Sequence, residues 1–210
     1  MTEDLSKNIR LKKFVKEQVR QSLLKVGRRL VIEKGVDYLT ARKLSEAANA
    51  SIGIIYNTFS TMDNFIIEEN IQTLDELYGE LTSVILHENP YVNLNCYADI
   101  FGRFVLNNRN LWMLLYNDML SSARTPIIYR RKMMIFETLL YRQLEQMFGC
   151  MKKTERKVSL QVLGLAIFAV SGFLAANNNN NLRKLNKVNI CKLLLNTYLA
   201  GLQGLKKVDR

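Results

Sequence analysis

The chain is poor in the residues that build metal sites, hydrolytic centres and tight turns. Its 210 residues include one histidine, one tryptophan, two prolines and three cysteines. A lone His87 with the widely spaced Cys96, Cys150 and Cys191, and no CxxC pair, argues against a Cys/His zinc site. The same scattered, odd set of thiols is not a disulfide framework; it suits three buried thiols in a reducing cytoplasm. Two prolines and ten glycines are too little punctuation for an all-β fold. There is no glycine-rich phosphate loop, His87 has no evident nucleophilic partner, and no carboxylate pair is marked out by context. No enzymatic chemistry, metal or cofactor is therefore expected. The N-terminus is charged and lacks an apolar core with a small-residue cleavage site, so no signal peptide is expected.

What is present is a helical, basic composition. Hydrophobic residues make up 48% of the chain and the formal net charge is +11, enough for a large core and suited to a polyanionic partner. The charge is uneven. Residues 1–43 hold twelve Lys/Arg against five Asp/Glu, whereas Asn49 to Glu88 contain no Lys or Arg. A basic N-terminal third fits nucleic acid or an anionic membrane surface, with simple solubility as the bland alternative.

One segment, "VSLQVLGLAIFAVSGFLAA" (Val158 to Ala176), is uncharged and flanked by Lys152, Lys153, Arg156, Lys157, Arg183 and Lys184. Its length and flanks suit a bilayer span. Its small residues permit close helix contact there or in a large interface, and Gln161 and two serines make it a mediocre span. We take the second reading and expect no membrane association.

Apolar spacing by threes and fours at Leu11, Phe14, Val15, Val19, Leu23, Val26 and Leu30 predicts a long amphipathic helix ending near Lys34, with Gly35 as a left-handed stop. Thr40 caps a short helix through Ala48, and Ser51 caps another ending near Phe59. A long helix then runs from Ser60 or Thr61 toward His87, broken by "ENP". Further helices are predicted over Tyr91–Asn107, Arg109–Leu120, Pro126–Phe148, Thr154–Ala176 and Asn186–Leu205. Thr125 caps the third of these ahead of Pro126, and Asn177 to Asn181 form a polar connection. The fold class is all-α, with about nine helices.

Between Ala41 and Thr58 the residues meet the demands of a helix-turn-helix. Ser45 is small enough for the helix crossing, and Leu44, Ala47, Ala48, Ala50 and Ile55 supply the buried side. Asn49 tolerates the positive φ that the turn needs. Helical geometry puts Ile55 and Phe59 inward, leans Ile52 toward them, sets Gly53 and Asn57 on the opposite face, and leaves Ile54 and Thr58 at a flank.

With these marks in order, "LVIEKGVDYLTARKLSEAANASIGIIYNTFSTMDNF" (Leu30 to Phe65) resembles the N-terminal domain of the TetR/AcrR family of bacterial transcription regulators. The shared features are Glu-Lys-Gly at a helix end, Thr40, Ala47-Ala48, Ser51, Gly53, Tyr56 and Phe59. Two positions depart: Met62 stands where the family usually has a phosphate-binding lysine, and Asn49 replaces the turn glycine. The resemblance implies a DNA-binding domain over residues 1–65 and an effector-binding and dimerisation domain over 66–210. It further implies a cytoplasmic homodimer that acts as a ligand-responsive regulator, most simply a repressor, on a palindromic operator.

Carried onto this sequence, the family pattern puts Tyr56 on a phosphate, Thr40 near the backbone, and Arg42 on phosphate or guanine. Lys43 adds phosphate attraction, and Ser51 and Thr58 border the reading helix. Ile52, Gly53, Ile54 and Asn57 fall where family members meet bases. Asparagine on adenine and isoleucine on thymine methyls predict an A·T-rich operator. For the C-terminal half, Tyr97, Phe101, Phe104, Trp112, Tyr116, Met133 and Tyr141 are candidate pocket residues for an unidentified, apolar or aromatic effector. Cys96 or Asp118 are candidates for polar recognition. Leu160, Gly164, Phe168, Gly172, Leu194 and Tyr198 are candidate dimer-interface residues. Two alternatives stay open: a C-terminal domain that binds a protein partner, and a sequence-tolerant nucleoid binder.

Overall fold

The computed structural model describes residues 2–121, 127–176 and 189–208. Side chains are described from Lys13 onward, except those of Met133 and residues 205–208. All regular elements among the described residues are helical: α1 (Thr2–Lys34), a 3₁₀ turn (Val36–Tyr38), α2 (Ala41–Ala48), α3 (Ile52–Phe59), α4 (Met62–Thr82), α5 (Pro90–Asn107), α6 (Arg109–Ser121), α7 (Ile127–Met147), α8 (Lys153–Ala176) and α9 (Ile190–Val208). The expected Thr125–Pro126 start, the Asn177–Asn181 run and the Asn186 start lie outside the described residues.

Contacts divide the chain into two units, residues 1–72 and 73–210, with the boundary inside α4. In the first unit, α1 ends at Gly35, whose φ of +89° is a conformation that glycine takes without steric cost. The core here is Leu23, Leu24, Leu30, Val31, Leu44, Ile55, Phe59 and Phe65. Phe14, Val15 and Val19, expected on the buried stripe of α1, are exposed instead. The helices that cover α1 are short, so only its C-terminal part has anything to pack against. Ala47, also expected inside, is exposed beside Glu46.

Helix α4 stops at Thr82, short of the expected His87. The Thr82 hydroxyl donates to the Tyr78 and Gly79 carbonyls, and the Ser83 hydroxyl to that of Glu80. Such back-bonding competes with the helical ladder and closes it early. The loop that follows is held by Asn93, whose amide accepts from the His87 N–H (2.7 Å) and donates to the His87 carbonyl (2.8 Å). Asn89 caps α5 just before Pro90, a residue suited to the first helical position.

The second unit packs α5, α7, α8 and α9 around Leu94, Leu144, Phe148, Leu160, Leu163, Leu195 and Leu199. Arg156 closes the turn between α7 and α8, donating to the carbonyls of Phe148, Gly149 and Met151 at 3.2, 3.1 and 2.6 Å. These carbonyls follow the end of α7 and satisfy the guanidinium at one terminal nitrogen, while its buried Nε has no partner among the described residues. Among the described residues α8 is the one helix long and apolar enough to cross a bilayer. Its inner face, including Leu160, Leu163, Ser171, Leu174 and Ala175, is buried in the unit.

Candidate nucleic-acid interface and ligand cavity

In the first unit, local chemistry sets the geometry of α2 and α3. The Thr40 hydroxyl accepts from the Lys43 N–H (3.2 Å) and the Ser51 hydroxyl from the Ile54 N–H (3.3 Å), so each helix has a side-chain cap. Asn49 takes φ 50°, ψ 44°, the left-handed conformation that the turn needs. Ser45 does more than keep the crossing small: its hydroxyl donates to the Ala50 carbonyl at 2.7 Å and ties α2 to the turn.

Helix α3 is anchored from beneath by Ile55 and Phe59, which are 0% and 2% exposed. Ile54 and Tyr56 are 41% and 45% exposed, and Gly53 and Asn57 are also at the surface. Ile52 does not lean inward as helical spacing suggested. At 43% it is as exposed as Ile54, because it opens the helix ahead of the first turn that packs on α1. The Thr58 hydroxyl donates to the Ile54 carbonyl (2.7 Å) and is thus occupied within α3. The outer face of α3 is therefore neutral, with one amide, one phenol and two isoleucines.

Charge sits beside it, on α2. Arg42 has a side chain 82% exposed, and both it and Lys43 reach Glu46, at 3.0 Å each. These contacts hold the Glu46 carboxyl below, and the Lys43 ammonium above, their ordinary ranges. Lys43 also lies over the Tyr38 ring, 5.3 Å from its centroid.

Part of the basic excess of α1 has an internal use that the sequence did not reveal. Arg20 pairs with Glu68 and lies 5.2 Å above the Phe59 ring, and Arg28 faces the fully buried Glu69 at 3.6 Å. The signal was a Glu68-Glu69 pair inside a stretch without cations. Lys16, Lys25 and Arg29 remain at the surface.

A capped two-helix reading head with a neutral outer face is the geometry of a groove-binding helix-turn-helix. Residues 23–68 match the family model for bacterial regulatory proteins of the tetR family. The match makes this N-terminal segment similar to the DNA-binding domain of that family.

The whole chain also has the TetR-family regulator fold. A TetR-like transcriptional regulator from Rhodococcus sp. RHA1 superposes with a TM-score of 0.64 at 17% identity, covering 89% of this chain and 96% of that one. The Thermus thermophilus repressor FadR, solved with lauroyl-CoA, gives 0.57 at 16% identity, covering 84% and 93%. The multidrug binding protein EbrR, solved with malachite green, gives 0.52 at 15% identity, covering 83% and 96%. No curated protein sequence matches the chain.

The second unit holds a cavity of about 120 Å³, walled by α4 to α9. Of the candidate pocket residues, Tyr97, Phe101 and Trp112 line it. Phe104 is buried behind Trp112, 6.4 Å between ring centroids, and Tyr116 stacks on Phe168 at 4.7 Å. Tyr141 lies against the Arg156 guanidinium, and the Met133 side chain is outside the described residues.

Neither residue considered for polar recognition lines the wall. Asp118 accepts a 2.6 Å hydrogen bond from Tyr129, and Cys96 is half-buried elsewhere. Cys191 lines the cavity instead, and burial pushes its thiol up to about 11.

The candidate interface residues divide as well. Gly164 and Phe168 line the cavity, and Leu160 belongs to the core. Gly172 gives room to the Tyr116 ring, since a Cβ there would stand 2.2 Å from Cζ. Leu194 is half-buried, and the half-buried Tyr198 donates to the Ser159 carbonyl at 2.9 Å. The outward side of α8 carries Val158, Val162, Leu165 and Phe173, 49–71% exposed, and Leu193 of α9 is 54% exposed.

Proposed function

We propose that the chain is a cytoplasmic, dimeric, ligand-responsive transcription regulator, acting as a repressor rather than as an enzyme. The carrying observation is the neutral outer face of α3, set beside the only cations of α2 and α3. Phosphate attraction then comes from Arg42, Lys43 and the Tyr56 hydroxyl, while Gly53, Ile54, Asn57 and Ile52 meet base edges and methyl groups. Thr40 and Ser51 hold the two helices in register, and Thr58 borders the groove.

The exposed apolar residues of α8 and α9 support a second copy as the partner of that face. Several large aliphatic and aromatic side chains exposed on one helix of a protein of net charge +11 have the character of an interface rather than of free surface. Two reading heads then address a palindromic, A·T-rich site, and occupation of the cavity in the second unit releases it.

Binding of variants to specific and random duplexes tests this reading. Arg42→Ala should weaken both alike and lower the salt slope by about one. Asn57→Ala should cost about 1–3 kcal/mol on the specific site and little on random DNA. Equal losses on both duplexes for Asn57→Ala would contradict base reading by α3.

A further inference from the structure

We infer that the cavity takes an uncharged, mostly hydrocarbon molecule carrying a single hydrogen-bonding group, such as an alcohol, ketone or ester, with the Tyr97 hydroxyl as the partner of that group. This rests on the reading of the chain as a ligand-responsive regulator.

Among the described residues, none that lines the cavity carries a charge. An ion placed there would lose its water and find no counter-charge, a penalty far larger than hydrocarbon contacts restore. The polar atoms on the wall are few, and most are spent. Trp112 donates its indole N–H to the Ser171 hydroxyl at 2.9 Å, and Ser171 in turn donates to the Phe168 carbonyl at 2.6 Å. The Cys191 thiol is a weak donor.

Tyr97 is different. It is 5% exposed, lines the cavity, and its hydroxyl has no hydrogen-bond partner among the described residues. A ligand oxygen within reach would give that hydroxyl a partner. Burial raises the Tyr97 pKa, the neighbouring Cys96 adding to the rise and Arg142 opposing it, so the phenol stays protonated and both donates and accepts. Arg142 itself is exposed and does not line the cavity, so it offers no seat for a carboxylate inside. Coenzyme A thioesters and cationic dyes, seen with two proteins of similar fold, do not suit this wall.

The test uses the full-length protein and the neutral fluorophore N-phenyl-1-naphthylamine, displaced by decanol, decanoate and decyltrimethylammonium. Decanol should displace the probe at concentrations at least about tenfold below either ion. Tyr97→Phe, checked for an unchanged melting temperature, should weaken decanol by roughly threefold to tenfold. Equal displacement by either ion, indifference of decanol to Tyr97→Phe, or failure of the probe to bind would each overturn the inference. The same preparation is assayed on DNA. DNA binding with no probe binding removes the ligand class and leaves the regulator reading; selective decanol binding without DNA binding does the reverse.

Discussion

Glu46 is the residue whose role is least evident from its neighbours. It is the only carboxylate on α2 and α3, and it holds both cations of the reading head at 3.0 Å. In the proposed complex those cations turn to phosphate, so Glu46 lowers their attraction to any DNA while leaving base contacts untouched. Glu46→Gln should therefore raise affinity for random duplexes by about twofold to fivefold, the modest scale of an exposed ion pair. It should also reduce the ratio of specific to non-specific binding. Unchanged random-duplex affinity in a salt titration would assign Glu46 a purely local role.

Cysteine chemistry gives a second prediction at this scale. Cys150 is exposed, Cys96 half-buried and Cys191 fully buried on the cavity wall. Only the thiolate alkylates, and the Cys191 thiol is pushed up to about 11 by burial. Iodoacetamide should modify Cys150 first. The Cys191 rate should keep rising toward pH 11 and should fall when the cavity is occupied. Peptide mass spectrometry reads both effects, and rapid labelling of Cys191 near neutral pH would contradict its placement.

At the level of elements, legibility followed how local the determining physics is. Thr40, Ser51 and Asn49 act within four residues of chain, and the ends of α2 and α3 were readable from them. The end of α4 was not, because Thr82 and Ser83 act through back-bonds that leave no periodic trace. Helix α8 was readable as a helix but not by face. It is apolar all round, so spacing alone could not say that Leu160 and Gly172 turn inward while Val162 and Leu165 turn outward. The cavity was half legible for a related reason: aromatic spacing pointed to Tyr97, Phe101 and Trp112, but the aliphatic wall from α4 and α9 had no signature distinct from core.

Close packing between α1 and α4 is testable in the same terms. A Cβ on Gly27 would stand 2.3 Å from Cζ of Phe65, itself fully buried and edge-on to Phe59 at 4.9 Å. Overpacking costs about 1–3 kcal/mol, against a helix-propensity gain for alanine of about 1 kcal/mol. Gly27→Ala should therefore be net destabilising by up to about 2 kcal/mol in denaturant unfolding. Adding Phe65→Leu should recover part of that loss. A more stable Gly27→Ala protein would show that the ring yields freely.

For the whole molecule, the uneven charge and the exposed apolar residues of α8 and α9 describe one device. Arg20 and Arg28 answer Glu68 and Glu69 within the first unit, and in the proposed complex the exposed Lys16, Lys25 and Arg29 add attraction for DNA. The outer residues of α8 are exposed, and the proposed dimer would cover them. In sedimentation velocity the protein should run as a dimer, and Val162→Lys with Leu165→Lys should make it monomeric with its helical content intact. A dimer that survives both changes would place the interface elsewhere.

Selection of bound sequences from random DNA by the purified protein, at near-physiological salt, tests the central claim most directly. The account predicts enrichment of a palindrome with A·T-rich half-sites, lost when Ile54 and Asn57 are both replaced by alanine. Salt-sensitive binding with no enriched sequence, or an enriched G·C-rich core, would contradict it.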